Sequence, residues 1–180
     1  MSSNTAFQRV VVEAGDQPQV ILLTDEGPTR LAARARELCD DRWPHWSRSY
    51  SGVTALIAGW HHRVGVDVES LHRSAEATWS LDDEHFRSTI MTPEERKHVL
   101  TLDHDDPRVG AVSLWCSKEA LAKALGTPLQ MNPARLTGPA VWGESRRGNW
   151  QATSFDVPTL QCDAVGWVVF ESRYSRAASR

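Results

Sequence analysis

Short β-branched runs open the chain. "FQRVVVEAG" and "QPQVILLTDEG" each carry apolar clusters bounded by turn residues, a pattern that predicts two strands. "PTRLAARARELCDD" then replaces β-branched residues with helix formers and predicts a helix. In "SGVTALIAGWHHRVGVDVE" the pattern predicts two further strands joined near His61 and His62. The second of these alternates strictly. Val64, Val66 and Val68 fall on one face, and Gly65, Asp67 and Glu69 on the other. Two rises of about 3.3 Å set the two acids about 6.6 Å apart along that strand, beside a glycine that adds no bulk.

Further on, the period changes. "TPEERKHVL" begins with a Thr-x-x-Glu capping box, Thr92 to Glu95, and has Pro93 in the first turn, which predicts a short helix over 93–102. "DDPRVGAVSLWCSKEALAKALG" repeats the device with Asp106 ahead of Pro107 and Gly126 as a stop, and predicts the longest helix of the chain. "PAVWGES", "WQATSFDV" and "AVGWVVFESR" read as strands of an antiparallel sheet. Strands and helix, then helices and strands, make an α+β chain, with no internal repeat or low-complexity tract evident in the letters.

Composition narrows the class. With 180 residues, 41% of them hydrophobic and 24% charged, the chain can bury one core and is expected to be soluble and globular. A net charge of −3 provides no overall basic footprint for nucleic acid. Arg30, Arg34, Arg36, Arg42 and Arg48 do cluster, and a solvated helix face accounts for most of them. Cys39, Cys116 and Cys162 are too scattered for a disulfide framework or a Cys-x-x-Cys zinc site, so reduced thiols in the cytoplasm are expected. The N-terminus has no basic region followed by an apolar run, and no 18-residue apolar stretch occurs, so neither secretion nor a membrane span is expected.

The candidate chemistry lies in two places. One is the acidic strand face of Asp67 and Glu69. The other is "WCSKEALAK", where Trp115, Glu119 and Lys123 recur every four residues along one side of the long helix, with Lys118 at its edge. Each has an ordinary explanation when taken alone: polar strand faces are commonly just solvated, and Glu119 with Lys123 is a common helix salt-bridge spacing. His61 and His62 read as turn residues, the eight tryptophans as core, and Cys116 as a small buried side chain.

Together and in this order, "VGVDVE" and "WCSKEALAK" resemble the paired motifs of the 4′-phosphopantetheinyl transferase superfamily. "IMTPEER" resembles that family's acidic residue ahead of an intervening helix, and "SYSGVTALIAG" resembles its upstream strand. Asp67 does not stand at the very start of the chain, so the chain is similar to the surfactin-type (Sfp-like) group rather than to the small trimeric holo-acyl-carrier-protein synthases. The resemblance implies an α+β pseudo-dimer of two similar halves, 1–66 and 67–180, with the active site in the cleft between them and the monomer complete in itself.

It also implies transfer of 4′-phosphopantetheine from coenzyme A to a serine of an apo acyl or peptidyl carrier protein, as in secondary metabolite biosynthesis, with release of adenosine 3′,5′-bisphosphate. Mg²⁺, or Mn²⁺, would be held by Asp67, Glu69 and Glu119. Glu119 or a metal-bound water would take the serine proton, and Lys123 would stabilise the leaving phosphate. Lys118 would contact the diphosphate, and Tyr50, Ser51 and Glu95 would complete the coenzyme A site. Two departures stand out. Tyr50 occupies the place of the group's phosphate-binding histidine, and the first half is shorter than usual, so that Arg30, Arg34, Arg42 or Arg48 would have to serve the 3′-phosphate. Beside transfer, these departures leave open a diverged member that binds coenzyme A or a related diphosphate without carrier-protein transfer.

Overall fold

A computed structural model describes residues 7–12, 16–24, 27–39, 42–71, 80–98, 106–128, 132–158 and 163–172. Strands β1 (Phe7–Val12), β2 (Gln19–Thr24), β3 (His45–Ser51) and β4 (Thr54–Trp60) form an antiparallel sheet in the order β1-β2-β4-β3. Strands β5 (Val64–Ser70), β6 (Arg146–Arg147), β7 (Trp150–Pro158) and β8 (Asp163–Glu171) form a second, in the order β5-β8-β7-β6. Helices α1 (Pro28–Leu38), α2 (Glu84–Ile90), α3 (Pro93–Lys97) and α4 (Pro107–Ala124) complete the fold.

The same unit occurs twice. β2, α1, β3 and β4 run strand, helix, strand, strand, with β4 seated between β2 and β3. β5, α4, β7 and β8 repeat that plan, with β8 between β5 and β7. The mixed α+β class with two comparable halves is thus present, although the repeat lies in connectivity and not in the letters. The passage between sheets comes at 61–63, not after Val66, because Val64 and Val66 already pair with Phe170 and Val168 on β8.

Alternation decides what faces what. Leu31 and Ala35 of α1 pack on Ile21, Leu23, Ala55 and Ile57 of the first sheet. The opposite face of that sheet brings Val20, Leu22, Leu56, Ala58 and Trp60 against Val64, Val66, Val68, Val168 and Phe170, so one core spans both sheets. The outer face of the second sheet takes α4, through Cys116, Ala120, Leu121 and Ala124 against Ala152, Val165, Trp167 and Val169. The valine face of β5 is therefore core, and its Gly65, Asp67 and Glu69 face is turned to α4.

Gly65 makes that contact close. A Cβ on it would overlap the carbonyl oxygen of Ala120 and the amide nitrogen of Ala124, so the helix backbone rests directly on the strand. No rotamer change relieves a clash with backbone. Gly65→Ala is expected to cost about 1–3 kcal/mol from overpacking and to lower activity by lifting α4 from β5; thermal melting and turnover of the variant check both.

Local signals set the helix ends as the sequence predicts. Asp106 accepts from the Arg108 amide at 2.9 Å to start α4. At its other end Gly126 (φ 78°) donates to the Lys123 carbonyl and Thr127 to the Ala122 carbonyl, a Schellman close. The α3 helix is shorter than the predicted 93–102, ending at Lys97 with His98 as its cap; 99–105 lie outside the described residues. "PAVWGES" is not a strand. Pro139–Val141 and Gly143–Ser145 are 3₁₀ turns, and Glu144 and Ser145 adopt φ of 52° and 53°, which turns the chain into the β6–β7 hairpin.

Candidate active site

Asp67 stands in the middle of β5, where pairing with Trp167 of β8 fixes its direction toward α4. Its carboxylate is buried, yet its two oxygens are treated differently. Oδ1 accepts from Ser49 Oγ at 2.6 Å and from Lys123 Nζ at 2.7 Å. Oδ2 is buried with no partner among the described residues. Leaving such an oxygen unsatisfied costs on the order of 1–3 kcal/mol, more for a charged group, and only a bound cation or donor would recover it.

Trp167, the cross-strand partner of Asp67, is fixed by donating Nε1–H to Ser113 Oγ at 3.0 Å. On α4, Glu119 and Lys123 come to the same carboxylate, as their four-residue spacing predicts. Burial, and next the charge of Asp67, push the Glu119 carboxyl above the ordinary range, with Lys123 opposing. A carboxylate with a raised pKa is a better proton acceptor at neutral pH. Cys116 is buried beside Asp67, and burial, then the charge of Asp67 and a hydrogen bond to it, pushes its thiol well up, with Lys123 opposing. It is the small buried residue expected from the sequence.

Glu69 follows Asp67 on the same strand face and is half-buried. Among the described residues no group of three or more His, Cys, Asp and Glu side chains is arranged to hold a metal ion, so the three expected ligands do not form a closed cage in this conformation. The donor set still suits a hard divalent cation. Asp67 presents a bare buried oxygen, and the mutual repulsion of Asp67 and Glu119 is what a cation between them would relieve.

Lys118 and Glu95 lie elsewhere. Lys118 projects from another side of α4, and its ammonium donates to Glu95 Oε2 at 2.6 Å, to the Pro133 carbonyl at 2.8 Å and to the Ile90 carbonyl at 2.5 Å. Its three donors are thereby all used. Glu95 is equally engaged: it closes the predicted capping box by accepting from the Thr92 amide at 2.7 Å, and it accepts from the Gly138 amide at 2.6 Å. The pair is 2% and 0% exposed and ties α2, α3, α4 and the 133–138 segment together. In this arrangement the pair is a buried clamp between these segments, each side chain engaged with the other and with backbone groups.

Tyr50 and Ser51 part company. Ser51 is buried and accepts from the Ser70 amide at 3.1 Å. Tyr50 is on the other face of β3, opposite Ala55, and is 43% exposed, so it is not part of the Asp67 cluster. Arg30, Arg34, Arg36, Arg42 and Arg48 are all exposed, with Arg34 paired to Glu37 at 2.9 Å. Sequence reading missed Ser49. The signal was there in Ser47, Ser49 and Ser51, three small hydroxyls at alternate positions just upstream of the acidic strand.

No curated protein matches the chain. The family model of the 4′-phosphopantetheinyl transferase superfamily matches residues 63–157, from the turn before β5 to the end of β7. That span holds Asp67, Glu69, Glu119 and Lys123 and the helix contact that brings them together. The chain belongs to the 4′-phosphopantetheinyl transferase superfamily, whose members use coenzyme A as the source of the group they transfer.

Proposed function

We propose that the protein moves 4′-phosphopantetheine from coenzyme A to the serine hydroxyl of an apo acyl or peptidyl carrier protein in a Mg²⁺-dependent reaction that releases adenosine 3′,5′-bisphosphate. The observation that carries this reading is the Asp67 carboxylate, pinned through one oxygen by Lys123 and Ser49 and bare at the other, with the raised Glu119 beside it. The chain is read as a surfactin-type enzyme with a shortened first half, working as a cytoplasmic monomer.

In the reaction the serine oxygen bonds to the phosphorus that carries pantetheine, and the bridging P–O bond of the diphosphate breaks. Glu119, brought beside Asp67 by α4, accepts the serine proton. Lys123 is 21% exposed, so its ammonium can turn from Asp67 toward the departing phosphate, where negative charge grows. A divalent cation held by Asp67 and Glu119, with Glu69 alongside, would offset charge on the diphosphate.

Chromatographic detection of adenosine 3′,5′-bisphosphate tests the reaction. Its release should require both an apo carrier protein and Mg²⁺ and stop on chelation; coenzyme A binding with no release under any condition would favour the diverged, non-transferring alternative. Lys123→Ala is expected to lower kcat by about tenfold to a hundredfold while coenzyme A binding weakens less, since leaving-group charge is greatest in the transition state. A raised KM at unchanged kcat would instead make Lys123 a ground-state contact.

A further inference from the structure

The two sheets meet edge to edge, β3 of the first against β5 of the second, and side chains join them. Ser47 Oγ accepts from the Val66 amide at 3.0 Å and Ser51 Oγ from the Ser70 amide at 3.1 Å. These outer bonds set how far β3 lies along β5. Ser49, between them on the same face, does something different. It donates its one hydroxyl proton to Asp67 Oδ1 at 2.6 Å, with both residues less than a tenth exposed.

We propose that Ser49 is a positioning residue for transfer, supplied by the first half of the molecule to a carboxylate of the second; this rests on the reading of Asp67 as the carboxylate that serves the reaction. A carboxylate on a short side chain can rotate about its last bond, and which oxygen it presents depends on what holds the other. Lys123 holds Oδ1 as well, but from a partly exposed, four-carbon stem whose ammonium is required at the leaving phosphate. When that ammonium turns away, Ser49 is what remains on Oδ1. Its oxygen is one bond removed from Cβ on a strand whose register Ser47 and Ser51 fix, so it keeps the Asp67 carboxylate in one orientation throughout.

The role is separable from that of Asp67. Mn²⁺ is titrated, with coenzyme A present, into wild type, Ser49→Ala, Ser49→Thr, Ser47→Ala and Asp67→Asn, following the free-ion resonance; kcat, KM for coenzyme A and the thermal midpoint are measured on each. Ser49→Ala should weaken Mn²⁺ binding about tenfold, in the range of lost ligand-orienting partners, and lower kcat comparably at nearly unchanged KM. Ser49→Thr, which keeps the hydroxyl, should recover most of both. Ser47→Ala should lower the thermal midpoint without moving Mn²⁺ affinity. Wild-type Mn²⁺ binding and turnover in Ser49→Ala, with both lost in Asp67→Asn, would overturn the role of Ser49 alone. Equal losses in Ser47→Ala and Ser49→Ala, or no recovery with threonine, would reduce it to packing. Unchanged behaviour of Asp67→Asn would instead remove the underlying reading of Asp67.

Discussion

Lys118→Met is expected to lower the thermal midpoint by roughly 6–20 °C. Removing one member of a buried ion pair costs about 3–5 kcal/mol, because the other is left as an uncompensated charge, and in a chain of this size each kcal/mol moves the midpoint by about 2–4 °C. The Glu95 carboxylate so stranded is fully buried. It would keep the Thr92 and Gly138 amides but lose its only cationic partner among the described residues. Burial already pulls the Lys118 ammonium below the usual lysine range, with Glu95 opposing, so the pair is held together against a real desolvation cost. Glu95→Gln should destabilise as well, because it strands the Lys118 ammonium, itself only 2% exposed, with the Ile90 and Pro133 carbonyls and no carboxylate to balance its charge. A Lys118 variant with an unchanged midpoint and a raised KM for coenzyme A would show that the lysine serves the diphosphate and not the clamp.

Asp67→Asn should reduce transfer by at least about a hundredfold, on the scale of losing a principal electrostatic element of a site. The substitution is nearly isosteric, and an amide oxygen can still accept from Ser49, so the fold should be retained. What disappears is the negative charge that holds Lys123 and would hold a cation. The expected result is a folded protein with near-wild-type melting and no measurable turnover at any Mg²⁺ concentration. Turnover restored merely by more Mg²⁺ would mean that Asp67 contributes affinity and not the reactive arrangement.

Sequence reading reached local features and stopped at distant ones. The β5 alternation, the Thr92–Glu95 capping box, the Asp106 cap and the Gly126 stop are all written within a few residues of one another, and each is found. Glu119 and Lys123 were placed on one side of a helix by spacing alone, and Gly65 explains why that helix can reach Asp67. Lys118 stands only at the edge of that side and takes its diphosphate role from the family resemblance. In a helix, however, adjacent residues are turned about 100° apart, and its partner Glu95 comes from a separate helix. The engagement of Glu95 by that lysine could not be read from a capping box that already gave it a local role. Ser51 is singled out by the family resemblance, but Ser47 and Ser49 are not legible for the same reason: an alternating Ser-x-Ser-x-Ser segment acquires meaning only once the edge of a second sheet lies beside it. "PAVWGES" looked like a strand by content, but proline, glycine and the left-handed Glu144 and Ser145 turn it into 3₁₀ turns.

The central claim is transfer to a carrier protein. The most direct measurement is the intact mass of apo acyl and peptidyl carrier proteins after incubation with the enzyme, coenzyme A and Mg²⁺. At least one carrier should gain the mass of a single phosphopantetheine group, and it should gain nothing when its acceptor serine is alanine or when Asp67→Asn replaces the wild type. Carrier masses that stay unchanged across the panel, while the protein binds coenzyme A, would contradict the account.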